Sequence, residues 1–356
     1  MRRYRIAVIP GDGIGQEVIP AGVEVLQAAG QRLSAYTLDL TWFDWGCDYY
    51  LRHGRMMPAD GLELLAGFNA IYFGACGFPT VPDHISLWGL RLNIVQGFDQ
   101  YVCLRPARLL AGVPSPLAGR APGDVDIVVV RENSEGLYAG VGGRAHRGLP
   151  DEVAAQTQLF TRRGVERIIR YAFDLARTRP RRHLTSATKS NACQYSMVLW
   201  DEVFAGVARD YPDVSTDVQL VDSLAARCVT HPQSLDVIVA ENLFGDILSD
   251  LTGALVGGLG MAPSGNIDPT RRRPSMFEPV HGSAPDIAGK GIANPIAAIW
   301  CGAMMLEFLG EKPAAAALVA AIEAVLRAGR VRTPDLGGAA TTREMAGAIV
   351  AELLHG

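Results

Sequence analysis

The chain has 356 residues, of which 49% are apolar and 20% are charged. This composition predicts a globular protein of one large or two fused domains and excludes a disordered chain. The net charge of −4, from 33 basic and 37 acidic residues, lacks the basic excess of a protein that binds nucleic acid or a membrane surface, so neither partner is expected.

Apolar strand-like runs alternate with helical patterns from the N-terminus to residue 240. Strands are predicted at residues 4–9, 40–43, 70–73, 127–130, 218–221 and 237–240, and helices at 16–29, 58–68, 163–176 and 197–209. Gly30 stands where a glycine would end the first helix. Further helices follow at 296–309, 314–328 and 342–354. The alternation predicts an α/β fold with helices layered on a sheet.

The N-terminal segment and the cysteines indicate a cytoplasmic protein. The apolar stretch 6–9 ends at Pro10 and is too short for a signal peptide, and no window has the roughly eighteen uncharged apolar residues of a membrane-spanning helix. The six cysteines form no CxxC pair, so we expect reduced thiols rather than a disulfide framework or a zinc site.

A glycine-rich turn, with Gly11, Gly13 and Gly15, follows the first predicted strand and opens the first predicted helix. A dinucleotide fingerprint requires its third glycine one position later, where this chain has Gln16. Two interpretations therefore stay open: a tight structural turn, and a ligand loop of some other kind.

Asp246 and Asp250 are four residues apart and would be neighbours on one face of a helix. Two like charges repel at that spacing, and a hard divalent cation such as Mg²⁺ or Mn²⁺ would compensate them. A solvated acidic surface is the alternative interpretation. The apolar residues around the pair, such as Phe244 and Ile247, fit a wholly solvated face poorly.

Three arginines, Arg91, Arg105 and Arg131, lie in turn-like contexts close to the ends of strands or helices. Their guanidinium groups suit a substrate that carries carboxylates, although each is also suited to a structural ion pair. Tyr138 and Lys189 are candidate acid–base residues. A packed aromatic ring and a solvated lysine are the alternatives for these two.

Residues 278–295, which begin Glu278-Pro279-Val280-His281 and end Asn294-Pro295, resemble the nucleotide-binding segment of the isocitrate and isopropylmalate dehydrogenase family. Members of this family are decarboxylating β-hydroxyacid oxidoreductases. The earlier motifs occur in the family's order along nearly the whole chain: the glycine turn, Arg105, Arg131, Lys189, Asp222, Asp246 and Asp250. Segments 81–89, 98–101, 185–191 and 274–278 are similar to the tartrate and D-malate dehydrogenase branch of the family.

The resemblance implies a two-domain α/β/α sandwich of the isocitrate/isopropylmalate dehydrogenase type rather than a Rossmann fold. Residues 1–104 and 256–356 would form a large discontinuous domain that carries the NAD-binding segment. Residues 105–255 would form the second domain, with the metal and substrate residues and the dimer interface. The active site would lie in the cleft and be shared across a homodimer.

The resemblance also implies roles for the acidic and acid–base residues. Asp246 and Asp250, together with Asp222 of the partner subunit, would hold Mn²⁺ or Mg²⁺. K⁺ is a further cation that the protein is expected to bind. Lys189 of the partner subunit would assist deprotonation of the substrate hydroxyl, and Tyr138 would protonate carbon 3 after carbon dioxide departs.

The cofactor would bind along the segment that carries the resemblance. The expected residues are Glu278, His281, Gly282, Ser283, Ala284, Pro285, Asp286 and Asn294. A carboxylate at position 286 can accept hydrogen bonds from ribose hydroxyls and repels a 2′-phosphate, so NAD⁺ is expected rather than NADP⁺.

One substrate position departs from the family pattern. Arg105 and Arg131 would clamp the β-carboxylate, but the family's first substrate arginine, ten residues before Arg105, is Val95 here. Arg91 lies one helical turn earlier, at the position that in the resembled family reads the substituent on carbon 3, and could replace the missing arginine. An unpaired buried guanidinium beside an isopropyl group is costly, which disfavours isopropylmalate.

Together these inferences predict NAD- and divalent-metal-dependent oxidation of a small 2-hydroxydicarboxylate, with decarboxylation where a β-carboxylate allows it. Tartrate and D-malate are the leading candidates, and isopropylmalate and isocitrate are the alternative substrates. A non-catalytic regulatory subunit that only binds ligands is the alternative from another class. The presence of Tyr138, Lys189 and the three aspartates argues against that alternative.

Overall fold

The structure is a computed structural model that describes residues 1–355. Its strands are β1 (Arg2–Gly11), β2 (Tyr36–Trp42), β3 (Ala70–Ala75), β4 (Val102–Arg108), β5 (Asp126–Glu132), β6 (Gly142–Ala145), β7 (Val153–Gln156), β8 (His183–Thr188), β9 (Ser215–Leu220), β10 (Val237–Ala240), β11 (Pro263–Ile267) and β12 (Ser275–Pro279). Its α-helices are α1 (Gly15–Leu33), α2 (Cys47–His53), α3 (Gly61–Leu65), α4 (Asp83–Ser86), α5 (Leu92–Gly97), α6 (Arg162–Thr178), α7 (Ser196–Ala208), α8 (Val221–Thr230), α9 (Asn242–Leu255), α10 (Ile296–Leu309), α11 (Lys312–Ala328) and α12 (Thr342–His355). None of the helices in this part of the chain has the length and apolarity needed to cross a membrane. The predicted α/β class is confirmed.

The chain folds into two compact units. Unit 1 comprises Met1–Gln100, Arg108–Asp124 and Gly253–Gly356, and unit 2 comprises Tyr101–Ala107 and Val125–Thr252. The sequence-based division assigned 108–124 to the second domain, whereas the fold assigns this segment to unit 1. One of its side chains is bonded there: the Ser115 hydroxyl donates to the Leu255 carbonyl over 2.8 Å. The assignment of cofactor binding and dimerisation to particular units stays a prediction.

Unit 1 contains strands in the order β2-β1-β3-β12-β11. The pairs are parallel except β11 with β12, which is antiparallel. Side chains of β3 alternate between two buried faces: Phe73 joins an apolar cluster with Trp45 and Leu65, whereas the Tyr72 hydroxyl donates to the Ala298 carbonyl of α10 over 2.7 Å. Because both faces of the sheet are covered, unit 1 has the α/β/α layering.

Unit 2 contains strands in the order β4-β5-β10-β8-β9, with β5, β10, β8 and β9 all parallel. The paired helices α6 and α7 pack against these strands. Parallel strands end at one edge of a sheet, where ligands of open α/β sheets bind. Arg131 at the end of β5, Lys189 after β8 and Glu241 after β10 are therefore brought to the same edge.

Several predicted elements differ from the structure. The predicted helix 58–68 is reduced to α3, because the Ala66 N–H bonds to the Glu63 carbonyl as well as to Leu62, and this tightening ends the helix before Gly67. Gly30 does not end α1: the helix continues to Leu33 and ends at Ser34, with φ of 49°. Strands β4, β6, β7, β8, β11 and β12 were not predicted.

The glycine-rich turn between β1 and α1 is a close-packed structural turn. Gly11 has φ of +69°, and a Cβ placed on it would lie 1.9 Å from the Ala75 carbonyl oxygen. Gly13 has φ of +54°, and a Cβ there would lie 2.0 Å from the carbonyl oxygen of Ser283. The glycines thus allow β1 to approach β3 and allow the turn to approach the predicted cofactor segment.

This packing predicts that Gly11→Ala destabilises the protein far more than Gly54→Ala. Gly54 has nearly the same φ, +68°, but nothing lies within 4 Å of its Cβ position, so its replacement should cost about 1–2 kcal/mol of unfolding free energy. The clash with Ala75 should raise the loss for Gly11→Ala to at least about 3 kcal/mol. Denaturant unfolding of the two variants measures the difference, and equal losses would contradict the packing argument.

Candidate active site

Helix α9 carries two of the predicted site residues, and Glu241 determines where this helix begins. Glu241 is fully buried between β10 and α9. Its carboxylate accepts hydrogen bonds from the N–H groups of Phe244 over 2.7 Å and Leu243 over 3.1 Å. These N–H groups would otherwise be unpaired at the helix N-terminus, where the helix dipole also favours a negative charge. The cap therefore anchors the helix at the carboxyl edge of the unit 2 strands.

Arg131 lies at the end of β5 with its guanidinium turned onto α9. Its side chain is 2% exposed. Nε and Nη2 donate to Asn242 Oδ1 over 3.0 and 2.8 Å, and Nη1 donates to Asp246 Oδ1. A Cβ at Gly245 would lie 2.6 Å from the Arg131 Cβ, so a glycine at this position lets the helix lie against the arginine stem. The predicted substrate arginine is thus fixed by the helix that carries the predicted metal ligands.

Arg105 in β4 bridges both carboxylates of α9. Its Nη1 donates to Asp246 Oδ1 and Asp250 Oδ1, each over 3.2 Å, and to Ser249 Oγ over 2.8 Å. The arginine side chain is 9% exposed, whereas those of Asp246 and Asp250 are 33% and 52% exposed. The two aspartates therefore share one face of α9 and keep part of their oxygen surface open to solvent.

Tyr138 completes a group that we call the carboxylate cluster, defined as Arg105, Arg131, Tyr138, Asp246 and Asp250. The Tyr138 hydroxyl donates to Asp246 Oδ2 over 3.2 Å, and the Arg131 guanidinium carbon lies 5.5 Å from the centre of the tyrosine ring. Burial raises the pKa of Tyr138, and the nearby charge of Asp246 adds to this effect. A tyrosine in this environment stays protonated at neutral pH and can act as a proton donor.

Lys189 and Asp222 form a separate pair in unit 2. Lys189 follows β8, and Asp222 lies in the first turn of α8, after the neighbouring strand β9. Lys189 Nζ donates to Asp222 Oδ1 over 2.9 Å. This hydrogen bond lowers the pKa of Asp222, whose side chain is 64% exposed. The side chains of Lys189 and Asp222 thus bond to each other. Asp246 and Asp250 instead bond to members of the carboxylate cluster.

The donor chemistry of α9 suits a hard divalent cation only in part. Asp246 and Asp250 offer carboxylate oxygens, which Mg²⁺ and Mn²⁺ prefer. Burial raises the pKa of Asp250, Arg105 opposes this, and Asp246 adds to it, so a bound cation would favour the charged form of this carboxylate. In residues 1–355, no group of three or more histidine, cysteine, aspartate or glutamate side chains is placed to hold a metal ion. One chain therefore supplies two carboxylates, and further ligands would have to come from substrate, water or a second subunit.

The predicted cofactor segment lies in unit 1 against the glycine turn. The Ile14 N–H donates to the Ser283 carbonyl over 2.9 Å, directly beside Gly13. Ala284 has φ of +40°, and Gly282, Pro285 and Asp286 are exposed. The backbone of the segment is therefore held from beneath, and its outer residues are open to a ligand.

The environment of His281 indicates that this segment is suited to a bound group. The residue is 8% exposed, and its Nδ1 lies 2.9 Å from the Gly282 carbonyl oxygen, which makes Nδ1 the protonated nitrogen. Burial lowers the pKa of His281, so the ring is neutral and Nε2 is an acceptor. Among the described residues, Nε2 has no hydrogen-bond partner. A ligand with a hydrogen-bond donor would satisfy this buried nitrogen.

Asn294, at the far end of the segment, is fixed by neighbouring elements. Its Nδ2 donates to Asp335 Oδ2 over 2.9 Å, and its Oδ1 accepts from the Ile296 N–H at the start of α10 over 3.0 Å. Thr333 donates to the other oxygen of Asp335 over 2.5 Å. Asp335 therefore orients a residue predicted to bind the cofactor, and sequence reasoning missed it.

Arg91 and Glu278, predicted to bind substrate and cofactor respectively, contact each other in unit 1. Arg91 Nε donates to Glu278 Oε1 over 2.7 Å, and their side chains are 12% and 5% exposed. Asn266 Nδ2 donates to the same oxygen over 2.6 Å. Val95 is fully buried in the apolar cluster of unit 1. The position of the missing family arginine therefore belongs to the core here, and the Arg91 guanidinium is held by an ion pair.

Sequence reasoning also missed Asn242 and Glu241. Asn242 lies four residues before Asp246, as Asp246 lies four before Asp250, so extending the helical face by one turn would have found it. Glu241 carried the weaker signal of an acidic residue immediately before a helical pattern.

The chain is similar to known proteins in both sequence and fold. The family described as isocitrate/isopropylmalate dehydrogenase matches residues 5–349. A probable tartrate dehydrogenase/decarboxylase of Agrobacterium vitis is 60% identical, over 98% of this chain and 96% of its own length. The D-malate dehydrogenase (decarboxylating) of Escherichia coli strain K12 is 56% identical, over 100% of both chains. A solved isocitrate dehydrogenase from Methylococcus capsulatus is 38% identical, with a TM-score of 0.89 over 99% of this chain and 100% of that one.

Proposed function

The chain belongs to the isocitrate/isopropylmalate dehydrogenase family and is a decarboxylating dehydrogenase, and we propose that it oxidises a small 2-hydroxydicarboxylate, D-malate or tartrate. The proposed cofactors are NAD⁺ and Mn²⁺ or Mg²⁺. Relatives named for tartrate and D-malate support the substrate class, and the charges of the carboxylate cluster support it independently.

The charge of the carboxylate cluster is the observation that carries this proposal. Arg105 and Arg131 contribute two positive charges and Asp246 and Asp250 two negative charges, so the four side chains cancel. The carboxylate of Glu241 faces two backbone N–H groups at the start of α9 and is compensated there. A bound divalent cation would leave two positive charges, which complement a substrate with two carboxylates better than one with three.

Each residue of the cluster has a role in the proposed reaction. When bound, NAD⁺ would accept the hydride from carbon 2, and a divalent cation on Asp246 and Asp250 would lower the pKa of the substrate hydroxyl. Lys189 of the partner subunit, in its ion pair with Asp222, would assist deprotonation of the hydroxyl. Arg105 and Arg131 orient the β-carboxylate, which leaves as carbon dioxide while its bonding electrons stay on carbon 3.

Tyr138 then donates a proton to carbon 3 and completes the reaction. Burial keeps its pKa above the ordinary value, so the phenol holds its proton until carbon 3 becomes basic. Its hydrogen bond to Asp246 directs the hydroxyl towards the carboxylates of α9. A buried, hydrogen-bonded phenol is therefore the proposed acid.

A cofactor on the 281–294 segment is supported by the unpartnered Nε2 of His281. We propose NAD⁺ rather than NADP⁺ because Asp286 is exposed on this segment. Its carboxylate can accept hydrogen bonds from ribose hydroxyls, whereas a 2′-phosphate would be repelled.

We also propose that the working form is a homodimer. The hairpin of β6 and β7 forms a separate two-stranded sheet in which every residue is exposed, and Leu149 between the strands is exposed as well. A hairpin of two strands is marginally stable on its own, and a second copy of the chain would cover it. The exposed Asp222 and its partner Lys189 would then serve the site of the other subunit.

The proposed function predicts a particular pattern of rates. With Mn²⁺ present, D-malate or tartrate should be oxidised faster than isopropylmalate or isocitrate. NAD⁺ should be preferred to NADP⁺ by roughly tenfold or more, because the repulsion between Asp286 and a 2′-phosphate should cost at least about 1.4 kcal/mol of binding free energy, which corresponds to a factor of ten. Chelation should abolish activity and added Mn²⁺ should restore it.

Variants make this assay more specific. Asp286→Lys should narrow the cofactor preference, and Asp246→Asn should depress turnover by orders of magnitude. Asp213→Asn is the matched control, because it makes the same substitution in an aspartate that also pairs with an arginine, Arg177, but at the surface. Full activity after chelation would overturn the proposal of a divalent metal. Faster oxidation of isopropylmalate than of D-malate or tartrate would overturn the proposed substrate class.

The shared-site proposal predicts that two inactive variants rescue each other. In a mixture of Tyr138→Phe and Lys189→Met, one site of each hybrid dimer has both residues intact, so about a quarter of wild-type activity should return after random exchange. Tyr138→Phe mixed with Asp246→Asn is the control and should show no rescue, because these two residues belong to one chain and hydrogen-bond over 3.2 Å. Rescue in neither mixture, after verified subunit exchange, would contradict shared sites.

The proposed contact of Arg91 with substrate can be separated from its ion pair. Arg91→Ala removes a charge-assisted contact worth ~1.5–3 kcal/mol, so the substrate KM should rise roughly tenfold to a hundredfold while the KM for NAD⁺ stays unchanged. Glu278→Gln keeps the guanidinium and removes only the anionic partner, so it should leave the substrate KM near the wild-type value. If both variants instead raise the KM for NAD⁺ alike, Arg91 serves to hold Glu278.

A further inference from the structure

We propose that Asn242 is a positioning residue that orients Arg131 for the substrate carboxylate without neutralising its charge. The proposal rests on the proposed function, since it concerns the same dicarboxylate site. It starts from the contacts of a single amide group at the first position of α9.

The Asn242 side chain contacts the edge of the Arg131 guanidinium that is formed by Nε and Nη2. Its Oδ1 accepts from both Nε and Nη2 of Arg131, over 3.0 and 2.8 Å. The remaining nitrogen, Nη1, donates to Asp246. Because Arg131 is 2% exposed, it depends on these protein acceptors, and the position of Asn242 sets the plane of its guanidinium.

The orientation of the amide is itself determined by the structure. Asn242 Nδ2 donates to the Glu135 carbonyl oxygen over 3.1 Å. A carbonyl can only accept, so the nitrogen must face Glu135 and the oxygen must face Arg131. Asn242 is 1% exposed, so no solvent competes for either end. Asparagine is suited to this position because it joins an acceptor and a donor in one rigid plane.

Asn242 also adds no charge to the carboxylate cluster. An aspartate could accept the same two hydrogen bonds, but it would add a third negative charge to the two of Asp246 and Asp250. The carboxylate cluster with a divalent cation would then keep one positive charge instead of two. A dicarboxylate would be held less well, and the carboxylate could no longer donate to the Glu135 carbonyl.

The experiment compares Asn242→Asp with Asn242→Ala. We expect Asn242→Asp to raise the KM for D-malate or tartrate roughly tenfold or more and to exceed the effect of Asn242→Ala, with the KM for NAD⁺ unchanged in both. A role in folding alone predicts the reverse order, because alanine removes all three hydrogen bonds of the amide and leaves a cavity. Thermal unfolding of both variants measures that contribution separately.

Two further measurements keep the outcome decisive. If the aspartate variant does not fold, Asn242→Ser, which retains an acceptor oxygen, should stay closer to the wild-type KM than Asn242→Ala, and equal values would overturn the inference. Calorimetric titration of D-malate with Mn²⁺ gives the affinity without turnover. An active wild type whose variants rank in the reverse order overturns this inference alone. A wild type that neither binds nor oxidises D-malate or tartrate overturns the proposed function and this inference together.

Discussion

A guanidinium buried at the end of a strand must be surrounded by acceptors, and much of unit 2 is arranged to meet that requirement for Arg131. Parallel pairing of β5 with β10 brings the start of α9 beside the arginine. Glu241 anchors the helix, Gly245 lets it approach the arginine stem, and Asn242 and Asp246 supply the acceptors. The same contacts place the carboxylates of α9 where Arg105 reaches both, so the geometry of the candidate site follows from the need to solvate one buried charge.

The parts of the fold that could be predicted from sequence are those with a simple apolar pattern. Strands β5 and β10 are short runs of valine and isoleucine, and the strand predicted at 237–240 matches β10. Strands β8, with sequence HLTSAT, and β12, with sequence SMFEP, were missed because their polar residues are buried only by tertiary contacts. The short α3 was predicted too long because the apolar spacing continues through the turn that ends it.

The candidate site was predictable to the extent that its residues carry charge at helical spacing. Asp246 and Asp250 were found in this way, whereas the neutral Asn242 could be found only by extending the same helical face by one turn. The partner of Arg91 could not be foreseen, because Glu278 lies 187 residues away in the chain. The pairing of Lys189 with Asp222 likewise depends on β8 and β9 being neighbours, which only the sheet order reveals.

The interleaved course of unit 1 has a consequence for the synthesis of the protein. Strand β3 pairs with β12, with Ala70 opposite Ser275. This pairing can form only after about two hundred further residues have been synthesised. At roughly 5–20 residues per second this interval is on the order of 10–40 s, and all of unit 2 is made within it. During that time the edge of β3, whose residues are all buried in the finished protein, lacks its neighbour. On the ribosome, unit 2 can therefore be complete while one edge of a buried strand of unit 1 is still open.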